Sequence, residues 1–218
     1  MPDPVLRAEG FGYRYAGAHA DALADVTVTL EREGRSYSAA SVRIEQDGRP
    51  MTLGLATLGD LPEDGAAWDA AAMPDAMPLA ETQPIPAGDA GVPVFMRNYD
   101  MRWAFGGDGA APGSGGWIRT AEPRALDAPL VAAMTDAWAP AAFVALGRFA
   151  AAPTLDLTIH IRRPLPGAGM EPDDHVLGRF LSRLAVAGVW EEDGELWSPA
   201  GELIAQSRQL ALVRELPR

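Results

Sequence analysis

The chain has 218 residues, 48% of them hydrophobic and 22% charged, which suits one large domain or two small ones with a real core. It has no cysteine and no lysine, so disulfides, thiolate metal sites, cysteine nucleophiles and Schiff-base or lysine general-base chemistry are excluded. A formal net charge of -12 repels nucleic acid and anionic membrane, and with only three histidines (His19, His160, His175) a multi-histidine metal centre is not expected.

In chain order, Asp25 to Leu58 reads as short strands. Val26, Val28 and Leu30 alternate with polar residues, Glu33-Gly34-Arg35 turns, a second strand runs from Tyr37 to Glu45, and Asp47-Gly48 turns into Met51 to Thr57. Alternation broken by glycine-containing turns predicts an antiparallel meander. Residues 60–91 carry Pro62, Pro74, Pro78, Pro84 and Pro86, a density that blocks long helices and removes ladder donors, so an extended linker is expected there.

Residues 92–218 have the look of a complete small domain. A strand is expected from Val94 to Phe105, followed by a flexible loop through Gly106-Gly107-Asp108-Gly109 and Pro112 to Gly116, and then a short strand Trp117-Ile118-Arg119-Thr120. Asp127 before Ala128-Pro129-Leu130 combines an N-cap residue with an early proline, so a helix is predicted from there to Leu146, ending before Gly147. Its apolar stripe is Leu130, Met134, Ala137, Trp138 and Ala141, with Ala132, Ala139 and Phe143 opposite, small enough to pack on a second layer. Four strands are expected after it, near 153–162, 175–190, 194–198 and 203–213, with turns at Glu192-Asp193-Gly194 and Pro199-Ala200-Gly201. One strand, a central helix and an antiparallel meander define an α+β class and the pattern of a hotdog domain. A weak internal repeat relates Ile44–Met51 to Trp197–Ile204, two strands that turn through glycine.

Four stretches carry a resemblance: Gly116-Trp117-Ile118-Arg119-Thr120, Ala133 to Trp138, Thr154 to Pro164, and Gly201 to Gln209. With Glu33-Gly34-Arg35-Ser36 and Gln46-Asp47-Gly48 in the first zone, the chain resembles the acyl-CoA thioesterase II-like proteins, which place two hotdog halves on one chain. The resemblance implies a double hotdog, each antiparallel sheet wrapped around a central helix: a partial first hotdog over 1–59, the linker over 60–91 and a complete second hotdog over 92–218. Too few residues precede Asp25 to supply a strand and helix, and Gly10 to Gly17 is a poor helix candidate, so the first half is expected to be incomplete, through a truncated gene product or a start set too far downstream.

In that family a bound water attacks the thioester carbonyl, held by an aspartate, a serine or threonine, and a glutamine. The matching positions are Asp136, Thr154 and Gln209. A carboxylate can orient water and take its proton, while a hydroxyl and a carboxamide each donate and accept. Backbone N–H groups near the helix start are expected to meet the oxyanion. Ala56 stands where the repeat aligns Gln209, so one site per chain is expected, and Asp156-Leu157 replaces the aspartate–histidine pair the family often carries.

Without the resemblance, Asp136 lies off the helix stripe as an ordinary solvent-facing aspartate. Thr154 shares a wet strand face with Asp156, Thr158 and His160, and His160 reads as surface or structural. Arg162, Arg163 and Arg208, with Arg179, are candidates for the phosphates of CoA or simple balance for an acidic surface.

The function expected is hydrolysis of a fatty acyl-CoA to CoA and free acid, by a homo-oligomer with no cofactor and no metal. The alternative is a degenerate hotdog that binds acyl-CoA or serves in assembly without turnover. A hotdog dehydratase ranks last because no histidine lies between Ala121 and Ile159. No apolar run approaches the ~18 residues needed to span a bilayer, and Met1-Pro2-Asp3-Pro4 lacks signal-peptide character, so a cytoplasmic location with no membrane partner is expected.

Overall fold

A computed structural model describes residues 6–8, 24–60, 65–86, 93–105, 113–148, 150–165 and 169–213. The chain divides into two compact units, Met1–Ala66 and Ala67–Arg218. The Gly10–Gly17 stretch lies outside the described residues. No helix among those described is long and apolar enough to cross a membrane.

The first unit is an antiparallel meander in sequential order: β1 (Leu6–Ala8), β2 (Ala24–Arg32), β3 (Ser38–Gln46) and β4 (Arg49–Leu58). The expected hairpin turn at Asp47-Gly48 is present, both residues at positive φ (50° and 72°), the conformation whose twist matches that of the flanking strands.

In the second unit β5 (Tyr99–Trp103), β6 (Gly113–Thr120), β7 (Thr154–Ile161), β8 (Val176–Leu181), β10 (Val189–Trp197) and β11 (Leu203–Leu212) join antiparallel in the order β5-β6-β8-β10-β11-β7. The short β9 (Ala185–Val186) pairs with β10. One face of the sheet meets the helical segment. Leu130, Val131, Met134, Ala137 and Trp138 pack there against Met101, Ile118, Val176, Phe180, Leu196, Ile204 and Ala205. Fully burying such a side chain is worth about 1.5–3 kcal/mol, so this layer carries much of the unit's stability.

The other face is covered by the proline-rich segment. Met73, Ala76 and Leu79 pack on Trp117, Leu177 and Trp197, the Trp117 indole donates to Met77 O at 2.9 Å, and Ile85 N donates to Met101 O at 2.7 Å. From residue 73 to 86 the expected linker is therefore a packed strap. Proline suits it, because it fixes extended backbone without needing ladder donors. Toward the end of this face Asp100 accepts from Arg102 and Arg119 and lies 3.2 Å from Nε2 of the buried His175, fastening β5, β6 and β8 together.

Five local expectations need correction. The single helix over 128–146 is two helices, α1 (Ala128–Met134) and α2 (Ala141–Leu146). Pro140 supplies no N–H and disfavours helical geometry at Ala139, so no helix runs through it and α2 starts anew after it, α1 having already ended at Met134. All five stripe residues are nevertheless buried. Ala132, Ala139 and Phe143 are half-buried.

The strand expected over Val94–Phe105 begins as a 3-10 turn at Val94–Asn98, and the glycine-rich loop ends earlier than expected, because Gly113 to Gly116 belong to β6. The strand expected over 175–190 is interrupted after β8, and its true hairpin lies at Ala187-Gly188, both at positive φ. Glu192-Asp193-Gly194 is not a turn but the middle of β10. Gly194 is there for space: a Cβ would lie 2.3 Å from Ser207 Oγ and 2.8 Å from the Phe180 ring.

Candidate active site

Asp136 sits in the turn between α1 and α2. Asp127 caps α1 by accepting from Leu130 N at 2.8 Å, and the helix unwinds with Thr135 N bonded to Val131 O and Asp136 N to Ala133 O. Asp136 is therefore presented from a helix end, not from a helix face.

Gln209 lies on β11, where strict alternation buries Ala205, Ser207, Gln209 and Ala211 on the helix-covered face and turns Gln206, Arg208 and Leu210 outward. Thr154 opens β7 after Pro153. Ala211 pairs with Thr154 whereas Leu210 pairs with Asp156, so Leu155 is an extra residue, a β-bulge. The bulge inverts the alternation at this end of the strand. Thr154 joins the face of Leu157 and Ile159 and leaves that of Asp156, Thr158 and His160, which corrects the face read from sequence.

These three elements bring the three side chains together. Gln209 Nε2 donates to Thr154 Oγ1 at 2.5 Å and to Asp136 Oδ1 at 3.2 Å. One carboxamide thus bridges residues 55 and 73 positions away in sequence. Desolvation by neighbouring atoms raises the Asp136 pKa above its ordinary value, with the Gln209 bond partly offsetting the rise. The residue still presents open surface, so a carboxylate of heightened proton affinity is reachable from solvent. Thr154 accepts from Gln209 and keeps its own O–H to donate.

Glu192 completes the cluster and was not a candidate from sequence. It is opposite Gln209 in the β10–β11 register, is 8% exposed, and its Oε2 accepts from Ala141 N at 2.6 Å. Burial, with the charges of Asp136 and Glu191 adding, pushes its pKa up to about 7 against the Ala141 bond that lowers it. Recognising β10 as one strand would have found it, since Trp190, Glu192, Gly194 and Leu196 then share a buried face.

The candidate arginines are not brought to this cluster. Arg208 points to the opposite face, where it pairs with Asp193 at 2.9 Å and Glu191 at 3.5 Å. Arg163 pairs with Asp69 at 2.8 Å, and Arg179 with Glu195 at 2.8 Å. Arg162 is exposed just past the end of β7, eight residues after Thr154, about 26 Å away at the usual strand rise. Of the helix-start N–H groups, Leu130 N is taken by Asp127 and Ala141 N by Glu192.

Residues 62–213 match the family model described as acyl-CoA thioesterase C-terminal domain. Among solved structures, the chain is similar to a conserved protein of unknown function with a hot dog fold from Alicyclobacillus acidocaldarius, at TM-score 0.77 and 24% identity over 91% of this chain and 75% of that one. It is also similar to the acyl-CoA thioesterase II TesB2 of Mycobacterium marinum, at TM-score 0.66 and 21% identity over 91% and 77% of the two chains. A third is the TesB protein of Mycobacterium avium subspecies paratuberculosis, at TM-score 0.68 and 18% identity over 88% and 72%. No curated protein matches the chain. At these identities the solved structures establish the hotdog fold.

Proposed function

The chain belongs to the acyl-CoA thioesterase C-terminal domain family, and from that premise we propose that it hydrolyses the thioester of a fatty acyl-CoA with a water held by Asp136, Thr154 and Gln209. The observation that carries the reading is the double donation of Gln209 Nε2, which gathers the carboxylate of the α1–α2 turn and the hydroxyl of β7 at one place. A water between them would be oriented by the Thr154 hydroxyl and give its proton to Asp136 as its oxygen attacks the carbonyl carbon. The tetrahedral adduct then expels the CoA sulfur. The C–S bond breaks, the C=O reforms, and the proton on Asp136 goes to the thiolate. Burial favours this role, since a carboxylate that holds a proton more tightly is the better base while it stays ionised at working pH.

For the CoA phosphates, Arg162 is the one of the predicted arginines that makes no ion pair among the described residues, and its place at the far end of β7 suits a group remote from the thioester.

Release of free thiol from acyl-CoAs of graded chain length tests the reading. Asp136→Asn should lower the rate by about 10²–10⁴-fold, the usual weight of a general base. Equal, slow hydrolysis by wild type and variant would exclude the water site. Tight acyl-CoA binding with no thiol release by either would favour the non-catalytic reading.

A further inference from the structure

Glu192 is a buried carboxyl that the scheme above does not use. It stands opposite Gln209, and directly paired strand residues carry Cβ atoms about 4.5–5.5 Å apart on one face. Its Oε2 holds Ala141 N, which fixes the start of α2 and hence one end of the Thr135–Pro140 turn; Gln209 holds the same turn through Asp136. The turn that presents Asp136 is thus tied to neighbouring positions of β10 and β11 by two side chains, one of them ionisable. A merely structural tie at Ala141 N would be served by any acceptor. A carboxyl near a second carboxyl is a costly choice there, because two like charges repel and the Asp136 charge raises the Glu192 pKa.

We propose that Glu192 is a positioning residue of this site, resting on the function proposed above: it fixes the turn bearing Asp136 through Ala141 N, and its negative charge strengthens Asp136 as proton acceptor. Among the described residues the groups that face it are few. The turn presents Asp136, β11 presents the neutral Gln209, and α2 presents Ala141 and Ala142. The buried Ser182, just past β8, is uncharged, and Glu191 on its own strand turns outward toward Arg208. Asp136 and Glu192 therefore titrate as a coupled pair. As pH rises Asp136 ionises first. Glu192 follows near 7, against the charge of Asp136, and from there Asp136 holds any proton it accepts more tightly.

The test is Glu192→Gln, which keeps an acceptor for Ala141 N and removes the charge, beside Glu192→Asp, which keeps the charge on a shorter stem. Two readouts are taken across pH 5–9: thiol release from an acyl-CoA resolved into kcat and KM, and the Asp136 carboxyl signal by carbon NMR, assigned with Asp136→Asn. Glu192→Gln should lower kcat by about tenfold, the effect of roughly one unit of proton affinity, with KM nearly unchanged. The kcat limb near neutrality should vanish, and the Asp136 signal should fall from two inflections to one. Glu192→Asp should restore both the limb and the second inflection. A Glu192→Gln protein with the wild-type pH profile and two Asp136 inflections would overturn the proposal. If Glu192→Gln does not fold, Glu192→Asp decides it, and loss of the second inflection there overturns it equally. A wild type that releases no thiol defeats the functional reading alone, because the carboxyl titration still judges the coupling.

Discussion

The two sheets of this chain use similar strands to opposite effect. In β4 the large apolar side chains are open: Leu53, Leu55 and Leu58 are all exposed, Leu55 by 89%. In β10 and β11 every second side chain is buried, and Leu196, Ile204, Ala205 and Ala211 have no exposed surface. Aliphatic content does not explain this, since β4 carries Met51, Leu53, Leu55 and Leu58 while β10 has only Val189 and Leu196. The difference is the cover. Two helices and a proline-rich strap lie on the second unit's sheet, whereas the described residues of the first unit are strands and turns. A strand's apolar side chains stabilise only to the extent that something removes water from them, and the same cover supplies the desolvation that raises the pKa of Glu192.

The sharpest way to break that comparison is to truncate one leucine in each sheet. Leu196→Ala should cost about 2–5 kcal/mol, while Leu55→Ala should fall within about 0.5 kcal/mol of wild type, as read by urea denaturation. Equal losses would mean that Leu55 is covered in solution.

The buried carboxyl offers a second lever, through pH. The folded-state pKa of Glu192 is raised from 4.5 to about 7, so between those values the folded protein holds more protons than the unfolded chain. Stability contributed by the neutral carboxyl is thus complete below pH 4.5, falls as pH rises through that window and levels off above it. The span is on the order of 3 kcal/mol at most, and Glu192→Gln should flatten this part of a melting-temperature profile. An unchanged slope in the variant would assign it to other groups.

The smallest effects come from adding one methyl group. Gly194→Ala places a Cβ 2.3 Å from Ser207 Oγ and should cost about 1–3 kcal/mol. Gly54→Ala in β4 meets only Val42 Cβ at 3.7 Å and should be neutral or stabilising by up to about 1 kcal/mol, since alanine loses less entropy on folding. Thermal melts of the two variants would show whether the covered sheet is the less forgiving.

How much of this was legible beforehand depended on the range of the forces involved. The β2–β3–β4 meander, the Asp47-Gly48 hairpin and the buried stripe from Leu130 to Ala141 follow from period and turn chemistry within a dozen residues. Glu192-Asp193-Gly194 reads as a turn because an acid-acid-glycine triplet has a turn's local chemistry, while the reason for Gly194 is the Phe180 ring and Ser207 on neighbouring strands. Alternation alone puts Thr154 on the wrong face because a bulge is a property of the pairing between β7 and β11, and neither strand alone displays it. The break at Pro140 was the exception: its signal was local, and the continuous apolar stripe on both sides concealed it.

The amino-acid sequence by itself determined the α+β class, the antiparallel meanders, the buried helical stripe and, through its resemblance, the family. Those rest on backbone preferences and side-chain alternation that act between near neighbours. Only the tertiary structure decided that Asp136 stands in a turn, that Gln209 reaches both Asp136 and Thr154, and that Glu192 lies buried beside them. Those depend on strand register and on exclusion of water by distant segments, which no local pattern encodes.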